Sequence, residues 1–164
     1  MMSLHTLSSL DGRYENETAP LRDFFSEFAY LRTRARLELD YLSALSKTGI
    51  IHAEGLSGFK PDLQDFTEAD ALKIQEYEKT TRHDVKAIEY FLRERLPAEL
   101  HPFIHFGLTS EDINNISQAL ALRDSRDQVL IPALDELLTS LREFAKKHRA
   151  LPMLARTPGQ PAVP

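Results

Sequence analysis

Cysteine is absent from all 164 residues. Disulfide scaffolds, zinc–thiolate sites and thiol catalysis are therefore excluded. No apolar run approaches the length needed to cross a bilayer. Met1 to Leu10 lacks the basic start and apolar stretch of a secretion signal. These two absences predict a soluble, cytoplasmic protein without membrane contact. Positive charge is outnumbered: 20 Lys and Arg stand against 25 Asp and Glu, a formal net charge of −5. That balance argues against nucleic acid held on a basic face, while leaving room for a local cationic pocket. Gly-rich phosphate loops of the Walker or Rossmann kind are missing, as are internal repeats and low-complexity blocks. A helical zinc motif is missing too. His101 and His105 are four apart, but Pro102 follows the first and no Glu lies between them, so no metal is expected. A Ser–His–Asp triad assembled on paper from six histidines carries no weight.

What is present is enough apolar material for a core, 42% of the chain, arranged at helical spacing. From Pro20, the residues Leu21, Phe24, Phe25, Phe28, Leu31, Ala35, Leu39, Leu42 and Leu45 recur at intervals of mostly three and four. They predict one long amphipathic helix with Gly49 just past its end. Its charges Arg32, Arg34, Arg36, Glu38 and Asp40 are expected mainly on the solvated face. Residues 50–65 read as a loop. Thr67 and Asp70 begin a second helix through Tyr77, and β-branched and polar residues break the period at Lys79–Asp84. Asp84 is the expected N-cap of a third helix carrying Val85, Ile88, Phe91, Leu92 and Leu96, which stops before Pro97. After an irregular stretch, a helix starts at Ser110 and is expected to kink or break near Pro132. The Pro- and Gly-rich tail from Leu151 is expected to be non-helical. No alternating run reaches strand length, so the fold class is all-α. The apolar side of the helices from 110 to about 148 has few partners in this chain. It is expected to join a bundle, within or between copies.

Candidate chemistry lies in the breaks between helices. Thr109-Ser110-Glu111-Asp112 places two hydroxyls at a helix start, with Asp112 three residues after Thr109. That is a capping-box pattern. It is also a socket for a carboxylate or phosphate, because a helix start offers free N–H groups and the positive end of the macrodipole. The commoner meaning of the pattern is a well-capped helix alone. Three further clusters keep it company: Arg13-Tyr14, Arg82-His83-Asp84, and Arg156-Thr157 with Gln160. Guanidinium groups, a phenol, an imidazole and hydroxyls together suit a polyanion with phosphate and carboxylate groups.

The segments Ser9–Tyr14, Glu78–Ala87, Phe103–Asn115 and Ala155–Ala162 resemble, in order and spacing, the N-terminal part of the adenylosuccinate lyases of the fumarase/aspartase superfamily, most closely the bacterial type. The resemblance implies a lyase that removes fumarate from adenylosuccinate, giving AMP, and from the succinylated imidazole carboxamide ribotide of purine synthesis. It implies substrate binding by Arg13, Tyr14, Arg82, His83, Asp84, Thr109 and Ser110. It also implies an all-α homotetramer with shared active sites, and no metal or organic cofactor. Residues 1–108 would form a small N-terminal helical domain, and 109–164 the incomplete start of the central bundle. The family's last motif here reads Thr-His-Gly-Gln-Pro, with that His as catalytic acid, whereas this chain has Pro158. The serine base lies on a loop beyond the matched stretch. No intact catalytic residue is then expected. His83 is a weak candidate for the acid, and more readily a residue that orients substrate. Two other readings stay open: a non-catalytic helical interaction module, favoured by Pro158, and a sibling such as argininosuccinate lyase, which Arg13-Tyr14 and the Thr-Arg-His-Asp run disfavour.

Overall fold

The computed structural model describes residues 6–49, 65–152 and 156–161. It divides into two compact units, Met1–Ser125 and Arg126–Pro164. The first unit is helical. After turns over residues 8–18 and a 3₁₀ turn at Ala19–Leu21, it contains α1 (Arg22–Phe25), α2 (Glu27–Lys47), α3 (Glu68–Thr81), α4 (Asp84–Arg93), a 3₁₀ segment (Ala98–Phe103) and α5 (Ser110–Ser125). It therefore continues past residue 108 through α5, which packs against α1 and α2.

The long helix expected from Pro20 is interrupted at Ser26, whose extended backbone (ψ 158°) separates α1 from α2. The Ser26 hydroxyl accepts the N–H of Ala29 at 3.1 Å, so the interruption is an N-cap that the apolar spacing conceals. Gly49 follows the helix with φ +73°, as a helix stop requires. The start of α3 carries the expected box, in which the backbone N–H and hydroxyl of Thr67 both donate to Asp70. Arg82 ends α3 in the left-handed region at φ 51°, and its N–H closes on Glu78 O at 2.7 Å. The cap of α4 is His83 rather than Asp84: the ring Nδ1 accepts from Lys86 N–H, and Asp84 is the first helical residue. Asp84 is drawn elsewhere, to Arg34. The helix ends at Arg93, three residues before Leu96.

Leu31, Leu39 and Leu42 of α2, Ile74 of α3, Ile88, Phe91 and Leu92 of α4, and Leu100 and Ile104 beyond them form one buried cluster. Each fully buried Leu, Ile or Phe contributes about 1.5–3 kcal/mol by leaving water. Phe66 closes one side, 5.4 Å from the Phe28 ring and 6.0 Å from Phe91 between centroids. Across the α3–α4 hairpin, Glu94 pairs with Lys73 and accepts from Tyr77, and Arg95 pairs with Asp70.

The second unit holds α6 (Ile131–His148), preceded by a π-helical turn at Arg126–Leu130. Pro132 sits in the first turn of α6, where its missing N–H is harmless. The expected break near Pro132 is this wider turn. None of the α6 residues is buried. The described residues of the tail, 151–152 and 156–161, are non-helical, and Arg156–Thr157 pairs antiparallel with Gln160–Pro161. Pro158 and Gly159 (φ +82°) form the turn between them, the sequence order of a type II turn. This two-residue pairing leaves the all-α class unchanged. The expected loop at 50–65 lies outside the described residues except for Asp65.

Candidate functional site

Two helix starts meet in the first unit. His83 immediately precedes α4, Ser110 is the first residue of α5, and His83 Nε2 lies 3.3 Å from Ser110 Oγ. Both side chains reach solvent. Each helix directs its positive end and first-turn N–H groups toward its start. His83 and Ser110, 27 positions apart in sequence, are thus brought together by packing.

The imidazole has two arrangements. When neutral, Nδ1 accepts the Lys86 N–H at 3.4 Å, which leaves Nε2–H to donate to Ser110 Oγ. The serine proton is then free to face a ligand. When protonated, Nδ1–H faces Asp84 Oδ1, also at 3.4 Å. Asp84 is half exposed, and its other oxygen is 2.8 Å from the buried guanidinium of Arg34. Partial burial pushes the Asp84 carboxyl up, but the Val85 N–H and then Arg34 overcome that effect and hold it below its ordinary value.

At the start of α5, the Thr109 N–H donates to Asp112 Oδ2 at 2.7 Å, and the Thr109 hydroxyl at 3.0 Å. The backbone bond first, and the hydroxyl second, hold the Asp112 carboxyl below its ordinary value. The capping box is present, and it uses the Thr109 hydroxyl. Ser110 is therefore the hydroxyl left at the meeting point of the helices.

The loop leading to Thr109 is fixed from below. Glu38 is buried on α2, and one of its oxygens is 2.5 Å from His105 Nδ1. Burial drives the Glu38 carboxyl above its ordinary value, against the hydrogen bond from His105. The Tyr41 hydroxyl donates to Phe106 O at 2.8 Å. His105 itself has φ +59°, a backbone conformation that surrounding contacts must hold in place.

Arg82 projects from the left-handed residue beside His83 and is exposed. Arg13 and Tyr14 lie exposed in the 8–18 turn, where Tyr14 N–H bonds Ser9 O and the Thr18 hydroxyl bonds Leu10 O and Tyr14 O. Among the described residues, no hydrogen bond or ion pair joins Arg13 or Tyr14 to the His83–Ser110 pair. Pro158 is exposed at the hairpin turn of the second unit. A largely apolar cavity of about 370 Å³ opens between the α1–α2 junction and α5, beside Phe24, Phe25, Tyr30 and Leu122. No candidate site residue lines it, and its lining does not suit an anion.

The expectation that Arg34 and Glu38 lie on the solvated face of α2 is overturned. They are 4% and 1% exposed. The spacing itself carried the signal: positions 31, 35, 38, 42 and 45 alternate by four and three, which puts Glu38 on the core stripe.

The chain spans about 38% of the length of the curated relatives it matches. It is 45% identical over 175 aligned positions to the adenylosuccinate lyase of Vibrio cholerae, covering all of this chain. It is 43% identical to that of Dictyostelium discoideum over 176 positions, and 41% identical to that of Escherichia coli K12 over 175. In each case the alignment takes in 38% of the relative. The model of the family described as Lyase matches residues 12–164, and on that extent the chain belongs to the Lyase family.

Proposed function

We propose that this chain is the N-terminal part of an adenylosuccinate lyase, acting on adenylosuccinate and the related succinylated imidazole carboxamide ribotide. The observation that carries this reading is the meeting of His83 and Ser110 at two helix starts, in a chain 45% identical to a relative of that name. The reaction is a β-elimination. A base takes the proton from the carbon next to a carboxylate, the carbon–nitrogen bond breaks, and an acid protonates the departing nitrogen. Negative charge gathers on the carboxylate in between, and fixed donors there lower the barrier. Ser110, the Thr109 turn and the α5 start are suited to hold such a carboxylate. His83 orients the neighbouring group through Nε2, with Asp84 beside it, and Arg13, Tyr14 and Arg82 supply phosphate contacts in the assembled enzyme.

Pro158 stands at the position of the family's acid. Proline has no transferable proton and no N–H, so the proton donor of the elimination is missing at this position. Pro158 and Gly159 also fit their turn, which favours a binding module as the second reading. The exposed stripe of α6 supports completion of a central helical bundle in a homotetramer. No metal or organic cofactor takes part.

The test is a chimaera in which this chain replaces the matching 38% of the Vibrio cholerae relative. With Pro158, fumarate release from adenylosuccinate stays at background. Pro158→His raises it by about 10²–10⁴-fold. A folded, tetrameric chimaera whose rate does not change with Pro158→His overturns the assignment of that position.

A further inference from the structure

Arg34 is a cation held on the core side of α2, where a charge costs desolvation and adds little net stability. Its side chain is 5% exposed; among the described residues its Nε has no hydrogen-bond partner, and its ion pair is with Asp84, whose side chain is 40% exposed. Its guanidinium carbon sits 3.7 Å from the centroid of the Tyr30 ring. Tyr30, one helical turn earlier on α2, gives its hydroxyl proton to Asn114 Oδ1 at 3.3 Å. Asp84 is the first residue of α4, and Asn114 lies in the second turn of α5. One turn of α2 therefore grips the start of α4 through Arg34 and the start of α5 through Tyr30.

We propose that Arg34 is a positioning residue: by holding Asp84 it fixes the start of α4 against α5 and keeps the His83 ring on Ser110. Three observations support this. Burial denies Arg34 any direct contact with a ligand in solvent. A buried guanidinium whose counter-ion lies half in solvent, and one of whose donors finds no partner among the described residues, is a poor stabilising device but serves to fix geometry. The same pair offsets the Asp84 charge, which would otherwise repel an anion at the joined helix starts. The ligand part of this inference rests on the proposed function; the geometric part does not.

The 164-residue chain itself is the sample. Nuclear Overhauser contacts between the His83 ring and the Ser110 β protons report the arrangement, and circular dichroism reports the fold. In Arg34→Met the contact is lost while helix content remains, and Arg34→Lys retains it in part. Asp84→Ala breaks the pair from its exposed side and loses the contact equally, should Arg34→Met fail to fold. The double variant adds nothing to either single change, because the two residues act as one unit. An undiminished His83–Ser110 contact in folded Arg34→Met or Asp84→Ala overturns the proposal. Fumarate titrated into the parent chain separates the two claims. Unmoved Ser110 and Lys86 amides count against the ligand reading, and the contact measurement still decides the role of Arg34.

Discussion

Helices α4 and α6 share a pattern and differ in fate. Each carries apolar residues at three- and four-residue spacing along one face. In α4, Val85, Ala87, Ile88, Phe91 and Leu92 are all at most 1% exposed. In α6, Leu134, Leu137, Leu138, Leu141 and Phe144 are 44–65% exposed. Period alone makes a helix, whereas burial needs a partner surface. α4 has α2 and α3. The stability of the described structure therefore resides in the first unit, with its apolar cluster and its buried charges.

Truncating one side chain on each of α4 and α6 separates the two helices most. Phe91→Ala costs about 3–5 kcal/mol, the range for a buried aromatic. Leu137→Ala, on the exposed stripe of α6, changes stability by no more than about 0.5 kcal/mol. Urea denaturation followed by circular dichroism measures both, and equal losses would abolish the distinction drawn between the two helices. A smaller effect is expected at the α2 cap. Ser26→Ala removes the acceptor of Ala29 N–H and lowers the stability of the first unit by about 1 kcal/mol. An unchanged urea midpoint would mean that the α1–α2 break is held by packing alone.

The smallest expected effect concerns pH. Burial raises the Glu38 carboxyl above the ordinary glutamate value of 4.5. The folded state therefore binds that proton more tightly than the unfolded chain does. The contribution is fully present below pH 4.5 and is lost as pH rises through the raised value in the fold. Glu38→Gln removes this loss, so its stability declines less than the parent's from pH 4.5 toward neutrality. Asp84, lowered in the fold, acts oppositely: its contribution is present above 3.8 and disappears as pH falls through its depressed value. Urea midpoints measured from pH 3 to pH 7 distinguish the two groups. Parallel parent and Glu38→Gln curves above 4.5 would show that His105 cancels the burial effect.

Much of this fold was legible from local chemistry. Thr67 with Asp70 and Thr109 with Asp112 announce their helix starts, because a cap is a contact between residues three apart. Pro132 announces a disturbance because it lacks a donor. Ser26 was harder to see: the apolar spacing runs through it, and only the hydroxyl on Ala29 reveals the break. His83 displaced Asp84 as the cap of α4 because Asp84 had a stronger partner 50 positions earlier in Arg34. For Arg34 and Glu38, charge predicts solvation while the spacing points inward, and the spacing prevails. The hairpin at Arg156–Pro161 is too short for any alternation to show.

Within the candidate site, the residue types and their loops were readable, and so was the likeness to a family. The contacts were not. His83 meets Ser110, Arg34 meets Asp84 and Glu38 meets His105 across separations of 27, 50 and 67 positions.

Local chemistry along the chain dictates which stretches coil, where most of them start and stop, and which apolar faces seek cover. Those outcomes depend on bonds between near neighbours. Packing between distant segments selects which of those faces is covered, which charges go inside, and which two helix starts meet. Such choices depend on surfaces that meet only after the chain has closed on itself.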